Sequence, residues 1–134
     1  MIRGMGVDIT AVERVERLLN RRPPALSRLF SPGEVADAGQ GRQRGPRLAS
    51  RFAAKEALIK AAGGLHGSRY CDIEVRRRPS RAPHLTVHGP LGEWLSMHDY
   101  QVHLSLSHED AYAVATVLLV RSDADAHGEW DLDS

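Results

Sequence analysis

Cysteine, aromatic residues, lysine and long apolar runs are all scarce in this chain, and each shortage excludes something. A single cysteine, Cys71, permits no internal disulfide and no thiolate metal cluster. Its place beside an apparent strand makes it a small core residue rather than a nucleophile. Aromatics make up only 5% of the residues, so aliphatic side chains must dominate the packing. No apolar run reaches the ~18 residues that a spanning helix needs, and residues 1–4, MIRG, lack the build of a secretory signal. A cytoplasmic protein without membrane association is the expectation. Residues 39–47, GQGRQRGPR, are rich in Gly and Arg but contain no aromatic. Single-strand nucleic-acid readers interleave aromatics for base stacking, so phosphate contact through arginine forks is the milder reading of this loop.

With 134 residues, 42% of them apolar, the chain has material for one domain with a sizeable core. The formal net charge of +1 hides an asymmetry. Residues 122–134 hold five of the seventeen acids and no Lys or Arg, leaving twelve acids against all eighteen Lys and Arg in the body, a charge of +6. A basic body favours an acidic partner: nucleic acid, a phosphorylated small molecule or an acidic protein. The expected division is a folded domain over 1–121 and an acidic, disordered tail over 122–134.

Residues 46–64, PRLASRFAAKEALIKAAGG, read as the central helix. Pro46 suits its first turn, and Gly63 with Gly64 supplies the left-handed stop. Leu48, Phe52 and Ile59 fall on one stripe, expected to face the core. Glu56 and Lys60 lie one turn apart on its flank, among Ala49, Ala53 and Ala57, which leave room for an approaching group. The plainer reading is a solvated i, i+4 pair contributing a few tenths of a kcal/mol. Only two lysines, Lys55 and Lys60, accompany sixteen arginines, and both lie in this helix.

The remaining elements follow in order. Residues 1–9 form a strand containing Gly4 and Gly6, which weaken it unless another backbone or a ligand comes close. Asp8 ends this strand. Thr10-Ala11-Val12-Glu13 has the pattern of a capping box and would relieve Asp8 of that duty. A helix over about 11–20 turns Val12, Val15 and Leu19 inward and Arg14, Arg17 and Arg21 outward. Leu26, Leu29 and Phe30 make a short apolar turn. Ser31-Pro32-Gly33-Glu34 caps a short helix to about Ala38. A half-buried strand over about 71–78 and a return strand over 84–88 precede a helix over about 91–98. Val102, Leu104 and Leu106 then alternate with His103, Ser105 and Ser107, and a long apolar strand over 111–120 completes a hairpin. The result is α+β.

Four segments together resemble the 4′-phosphopantetheinyl transferases of the short holo-acyl-carrier-protein synthase type. They are Gly4-Met5-Gly6-Val7-Asp8-Ile9; Arg51-Phe52-Ala53-Ala54-Lys55-Glu56-Ala57 with Lys60-Ala61; Asp72-Ile73-Glu74-Val75; and Val102–His108 followed by Tyr112-Ala113-Val114-Ala115. The resemblance implies a single-lobe α+β fold with an antiparallel sheet packed against a long central helix. It implies coenzyme A as donor, and transfer of its phosphopantetheine arm to a serine of an apo acyl carrier protein. By this resemblance Asp8 and Glu56 hold Mg²⁺, a metal that needs only one or two carboxylates beside substrate phosphates. Lys60 supplies positive charge to the phosphates or leaving group, and Ser107 and His108 line the cofactor pocket. Arg42, Arg44 and Arg51 meet the cofactor phosphates. Asp8, Glu56, Lys60 and His108 thus form the implied catalytic set. Either a metal-bound water or Glu56 takes the serine proton.

The resemblance further implies a homotrimer with active sites between protomers, and docking of the acidic carrier against Arg14, Arg17, Arg21 and Arg22. Thr10 stands where larger, two-lobed relatives carry a third acid, so a water should complete the metal shell. Tyr70 departs from the Trp or Phe usual in the family. Two other readings compete: a basic nucleotide- or RNA-binding module without catalysis, which leaves the paired carboxylates unexplained, and a metal-dependent phosphohydrolase, which usually needs more acids or histidines.

Overall fold

The computed structural model describes residues 1–77, 79 and 82–122. The expected acidic tail, apart from Ser122, and the expected strand end at Arg78 lie outside the described residues. Strand β1 (Ile2–Ala11) leads into helix α1 (Val12–Arg21), the short helices α2 (Ala25–Leu29) and α3 (Pro32–Ala38), and the long helix α4 (Arg44–Ala62). A 3₁₀ turn (Tyr70–Asp72), β2 (Ile73–Arg76), β3 (His84–Val87), α5 (Gly89–Met97), β4 (Gln101–His108) and β5 (Tyr112–Val120) follow. The order is α+β, as the hydrophobic periodicity implies. Among the described residues all strand pairing is antiparallel, in a three-stranded sheet β1-β5-β4 and a separate β2-β3 hairpin.

Helix α4 ends where the two glycines require it. Gly63 takes the left-handed conformation at φ 79° and its N–H donates to the carbonyl of Lys60. The buried face of α4 differs from the expected stripe. Leu48 is buried, but Phe52 and Ile59 are only half-buried, while Ala49, Ala53, Ala54, Ala57 and Leu58 lose all contact with solvent. The alanines leave room for strands rather than for a ligand. Ala113, Ala115, Val117 and Leu119 of β5 share their buried cluster.

Strand β1 comes closer still. A Cβ on Gly6 would run into the carbonyl of Ala57, and one on Gly4 into that of Ala61, so the two glycines allow backbone-to-backbone packing of β1 on α4. The expectation that another backbone excuses these glycines holds. Val12 and Val15 of α1 are buried, Leu19 is half-buried, and Arg14, Arg17 and Arg21 are exposed, as their spacing requires.

One expected cap is absent. Thr10 belongs to β1, and α1 begins after Ala11 with no side-chain cap. Ser31 and Glu34 do form their capping box: the Ser31 hydroxyl accepts from the Glu34 N–H at 3.2 Å, and the Ser31 N–H donates to Glu34 Oε1 at 3.0 Å. Glu34 serves a second purpose. The Lys55 ammonium donates to Glu34 Oε1 at 2.7 Å, to the Tyr70 carbonyl at 3.0 Å and to the Ile73 carbonyl, while the Val75 N–H donates to Glu34 Oε2 at 3.0 Å. Burial pushes the ammonium below the ordinary lysine value, and Glu34 opposes that shift. This pair ties α3, α4 and β2 together from inside.

Candidate active site

Asp8 projects from β1 toward α4 and is already engaged. The Lys60 ammonium donates to Asp8 Oδ1 at 3.1 Å and to the Val7 carbonyl at 3.0 Å, and the Thr10 hydroxyl donates to Asp8 Oδ2 at 2.5 Å. Asp8 therefore lies within its strand, and Thr10, rather than capping α1, orients the carboxylate. Its side chain is only 14% exposed, whereas Lys60 is half in solvent. One turn earlier on α4, Glu56 Oε1 accepts a hydrogen bond from the Tyr70 hydroxyl at 2.8 Å. Both Glu56 and Asp8 act on that phenol by their charge, so the two carboxylates belong to one neighbourhood. Sequence periodicity pairs Glu56 with Lys60, but the lysine is bonded to Asp8 across the helix–strand seam.

A second feature is a polar cleft of about 510 Å³ lined by Asp37, Gln43, Arg47, Ser50, Arg51, Arg77 and His108. Arg51 is 5% exposed, and its Nη1 donates to the Arg47 carbonyl at 3.0 Å. Its Nε is buried with no hydrogen-bond partner among the described residues. Burial pushes the guanidinium below its ordinary value, and Asp37 then Glu34 counter that. The cleft thus gathers three arginines, Arg47, Arg51 and Arg77, whose guanidinium forks match the geometry of phosphate oxygens.

Of the sequence candidates, Arg51 and His108 line this cleft; Arg42 and Arg44 do not. Arg44 instead borders a shallow hollow with Val15, Glu16, Leu19 and Asn20. Arg47, from the arginine-rich 39–47 stretch, and Arg77, not singled out in the sequence, line the cleft with Arg51 and His108. Arg47 stands one helical turn before Arg51, a spacing that could have flagged it. His108 pairs with Ala113, which pairs in turn with Thr10, so it shares the α4-facing side of the sheet. Ser107 falls in the next row, with Val114 and Ile9, and faces the opposite side.

A third feature runs along α1. Arg14, Arg17, Arg21 and Arg22 line a groove of about 440 Å³ floored by Val15, Leu18, Leu29 and Phe52. Phe52 also stacks in parallel on Tyr70, centroids 5.9 Å apart, the ring whose hydroxyl bonds Glu56. Among the described residues no cluster of three or more His, Cys, Asp or Glu side chains could hold a metal, and no helix is long and apolar enough to cross a membrane.

Comparison with known proteins gives these features a context. Residues 4–117 match the model of the 4′-phosphopantetheinyl transferase superfamily. The chain is 39% identical over 120 residues to a holo-[acyl-carrier-protein] synthase of Myxococcus xanthus, covering 88% of this chain and 94% of that protein. It is 41% identical over 125 residues to the same-named protein of Anaeromyxobacter dehalogenans, covering 89% and 96%. A crystal structure of a holo-(acyl-carrier-protein) synthase from Bacillus anthracis in complex with CoA (3′,5′-ADP) superposes with a TM-score of 0.75 at 35% identity, covering 91% of this chain and 99% of that one. The chain belongs to the 4′-phosphopantetheinyl transferase superfamily.

Proposed function

We propose that the chain is a holo-[acyl-carrier-protein] synthase. It transfers the 4′-phosphopantetheine arm of coenzyme A to a serine hydroxyl of an apo acyl carrier protein and releases adenosine 3′,5′-bisphosphate. The observation that carries this reading is the Asp8–Lys60 pair, which joins positions 52 apart into one site beside Glu56. The serine oxygen attacks the pantetheine-side phosphorus, the bond to the bridging pyrophosphate oxygen breaks, that oxygen departs with adenosine 3′,5′-bisphosphate, and Glu56 or a water takes the serine proton.

Asp8 and Glu56 would hold Mg²⁺. Their donor set fits this ion: two hard carboxylates with no third acid, which Mg²⁺ completes with water and phosphate oxygens. When bound, the metal neutralises pyrophosphate charge and polarises the phosphorus. The protein's own groups do the rest. Thr10 holds the Asp8 carboxylate in place. Lys60 leaves Asp8 to meet negative charge developing on the leaving group. Arg47, Arg51 and Arg77 offer the cleft's donors to cofactor phosphates, with His108 at its rim. The groove of Arg14, Arg17, Arg21 and Arg22 receives an acidic carrier and directs its serine past Phe52.

The site is shared between copies in a homotrimer. Met5, Val7 and Ile9 stand 66%, 53% and 67% exposed on the outer face of the sheet, an apolar strip that a neighbour would cover. Ser107 lies on that face, where it would serve the neighbour's pocket. Incubation with coenzyme A, Mg²⁺ and a panel of apo carriers tests the activity. The carrier's mass should rise by one phosphopantetheine. A panel left unmodified by folded protein would overturn the reading.

A further inference from the structure

We propose that Tyr70 is a positioning residue for Glu56, its hydroxyl fixing the plane of the carboxylate that serves the transfer. The inference rests on the reading of Glu56 as a site residue and adds to it a residue on a different element.

Tyr70 is held to α4 at three points. Its hydroxyl donates to Glu56 Oε1 at 2.8 Å, its ring stacks on Phe52 with 5° between planes, and its carbonyl accepts from the Lys55 ammonium at 3.0 Å. Phe52, Lys55 and Glu56 stand at i, i+3 and i+4 of one helix, so they present one face to the 3₁₀ turn that carries Tyr70. Lys55 is anchored in turn by the buried Glu34. The phenol is therefore fixed at its backbone and its ring before the hydroxyl makes any bond. It is a preset donor rather than a side chain that follows the carboxylate.

That distinction matters because the terminal torsion of a glutamate is broad, with no sharp preferred angle. A donor at a fixed position selects one angle. The bond occupies Oε1 and thereby determines where Oε2 points. Burial first, then the hydrogen bond to Glu56 and the charges of Glu56 and Asp8, pushes the Tyr70 hydroxyl up to about 12. In this bond the phenol is the donor and Glu56 the acceptor. Its contribution is orientation, the task that outer partners of ligating carboxylates perform.

Tyr70→Phe keeps the ring stack and the backbone bond and deletes only the donor. Two Mg²⁺ titrations read the result. One follows carrier modification; the other follows the rise in melting temperature with coenzyme A present and no carrier, so that no turnover occurs. Half-saturation should move to about tenfold higher Mg²⁺ in both. The maximal rate should recover at saturating Mg²⁺, and the metal-free melting temperature should stay at the wild-type value. A wild-type Mg²⁺ curve for the variant overturns the proposal, as does a rate loss that added Mg²⁺ does not recover. Glu56→Ala runs in parallel. Wild-type transfer by that variant removes Glu56 from the site and overturns the functional assignment itself, whatever Tyr70→Phe does.

Discussion

Lys55 Nζ lies 2.7 Å from Glu34 Oε1, with neither side chain exposed to solvent. The Phe30 ring lies 5.6 Å from the same ammonium. A buried pair of this kind is a weak source of net stability, but breaking it on one side strands a charge. Lys55→Met should therefore cost about 3–5 kcal/mol. Lys55→Met combined with Glu34→Leu should recover part of that loss. The recovery is incomplete because the Ser31 and Val75 N–H groups lose their acceptor. Urea denaturation of the two variants measures both numbers, and a single variant as stable as wild type would show that the pair pins nothing.

Gly6 sits where β1 touches α4, and its neighbour two residues on is Asp8. Gly6→Ala drives a methyl group into the Ala57 carbonyl, which no side-chain rotation can relieve. Overpacking of this kind costs about 1–3 kcal/mol. It also lifts Asp8 away from Lys60, so transfer should fall more than the stability loss accounts for. Thermal melting beside carrier-modification kinetics separates the two effects. Asp8→Asn, which leaves the seam intact, should lose transfer with little change in melting.

The sheet's outer strip makes assembly measurable. Light scattering should give three times the 14.8 kDa chain mass. Met5→Glu places a charge on the exposed apolar strip and should yield monomers that fold but do not transfer. A monomeric, fully active protein would sink the shared site.

The proposed docking of the carrier on the arginine groove is tested by varying each substrate in turn. Arg14→Glu should raise KM for the carrier about fivefold, on the order of 1 kcal/mol of attraction, and leave KM for coenzyme A unchanged. The difference from wild type should shrink with added salt, since such charges are screened over about 8 Å at physiological ionic strength. Equal weakening of both substrates would assign the stripe to the cofactor instead.

Much of this architecture is legible in the residues. The glycine stop of α4, the Ser31–Glu34 cap, the inward valines of α1 and the alternation of β4 all follow from local spacing, which is why each was expected. What local spacing conceals is partner choice across the chain. Lys55 reads as one more helix lysine, because the acid that buries it lies 21 residues away. Thr10 through Glu13 has a cap's pattern, but β1 continues through Thr10, and Asp8 claims its hydroxyl. The arginines of 39–47 look interchangeable. Only the turn of α4 decides that Arg47 faces the cleft while Arg44 faces α1. Tyr70 differs from its expected aromatic by one oxygen atom, and nothing within its own segment indicates that Glu56 receives it.

The sheet order carries a consequence for the order of assembly in a cell. Among the described residues, β1 pairs with no strand but β5, with Asp8 opposite Ala115. At ordinary translation speeds of about 5–20 residues per second, the first strand waits on the order of ten seconds for the last. Throughout that interval the strip of Met5, Val7 and Ile9 has neither a pairing strand nor a neighbouring copy. Helix α4 can form meanwhile, but its seam with β1 gains its second wall only when β5 arrives. Appearance of activity during synthesis is thus a clock for the emergence of β5.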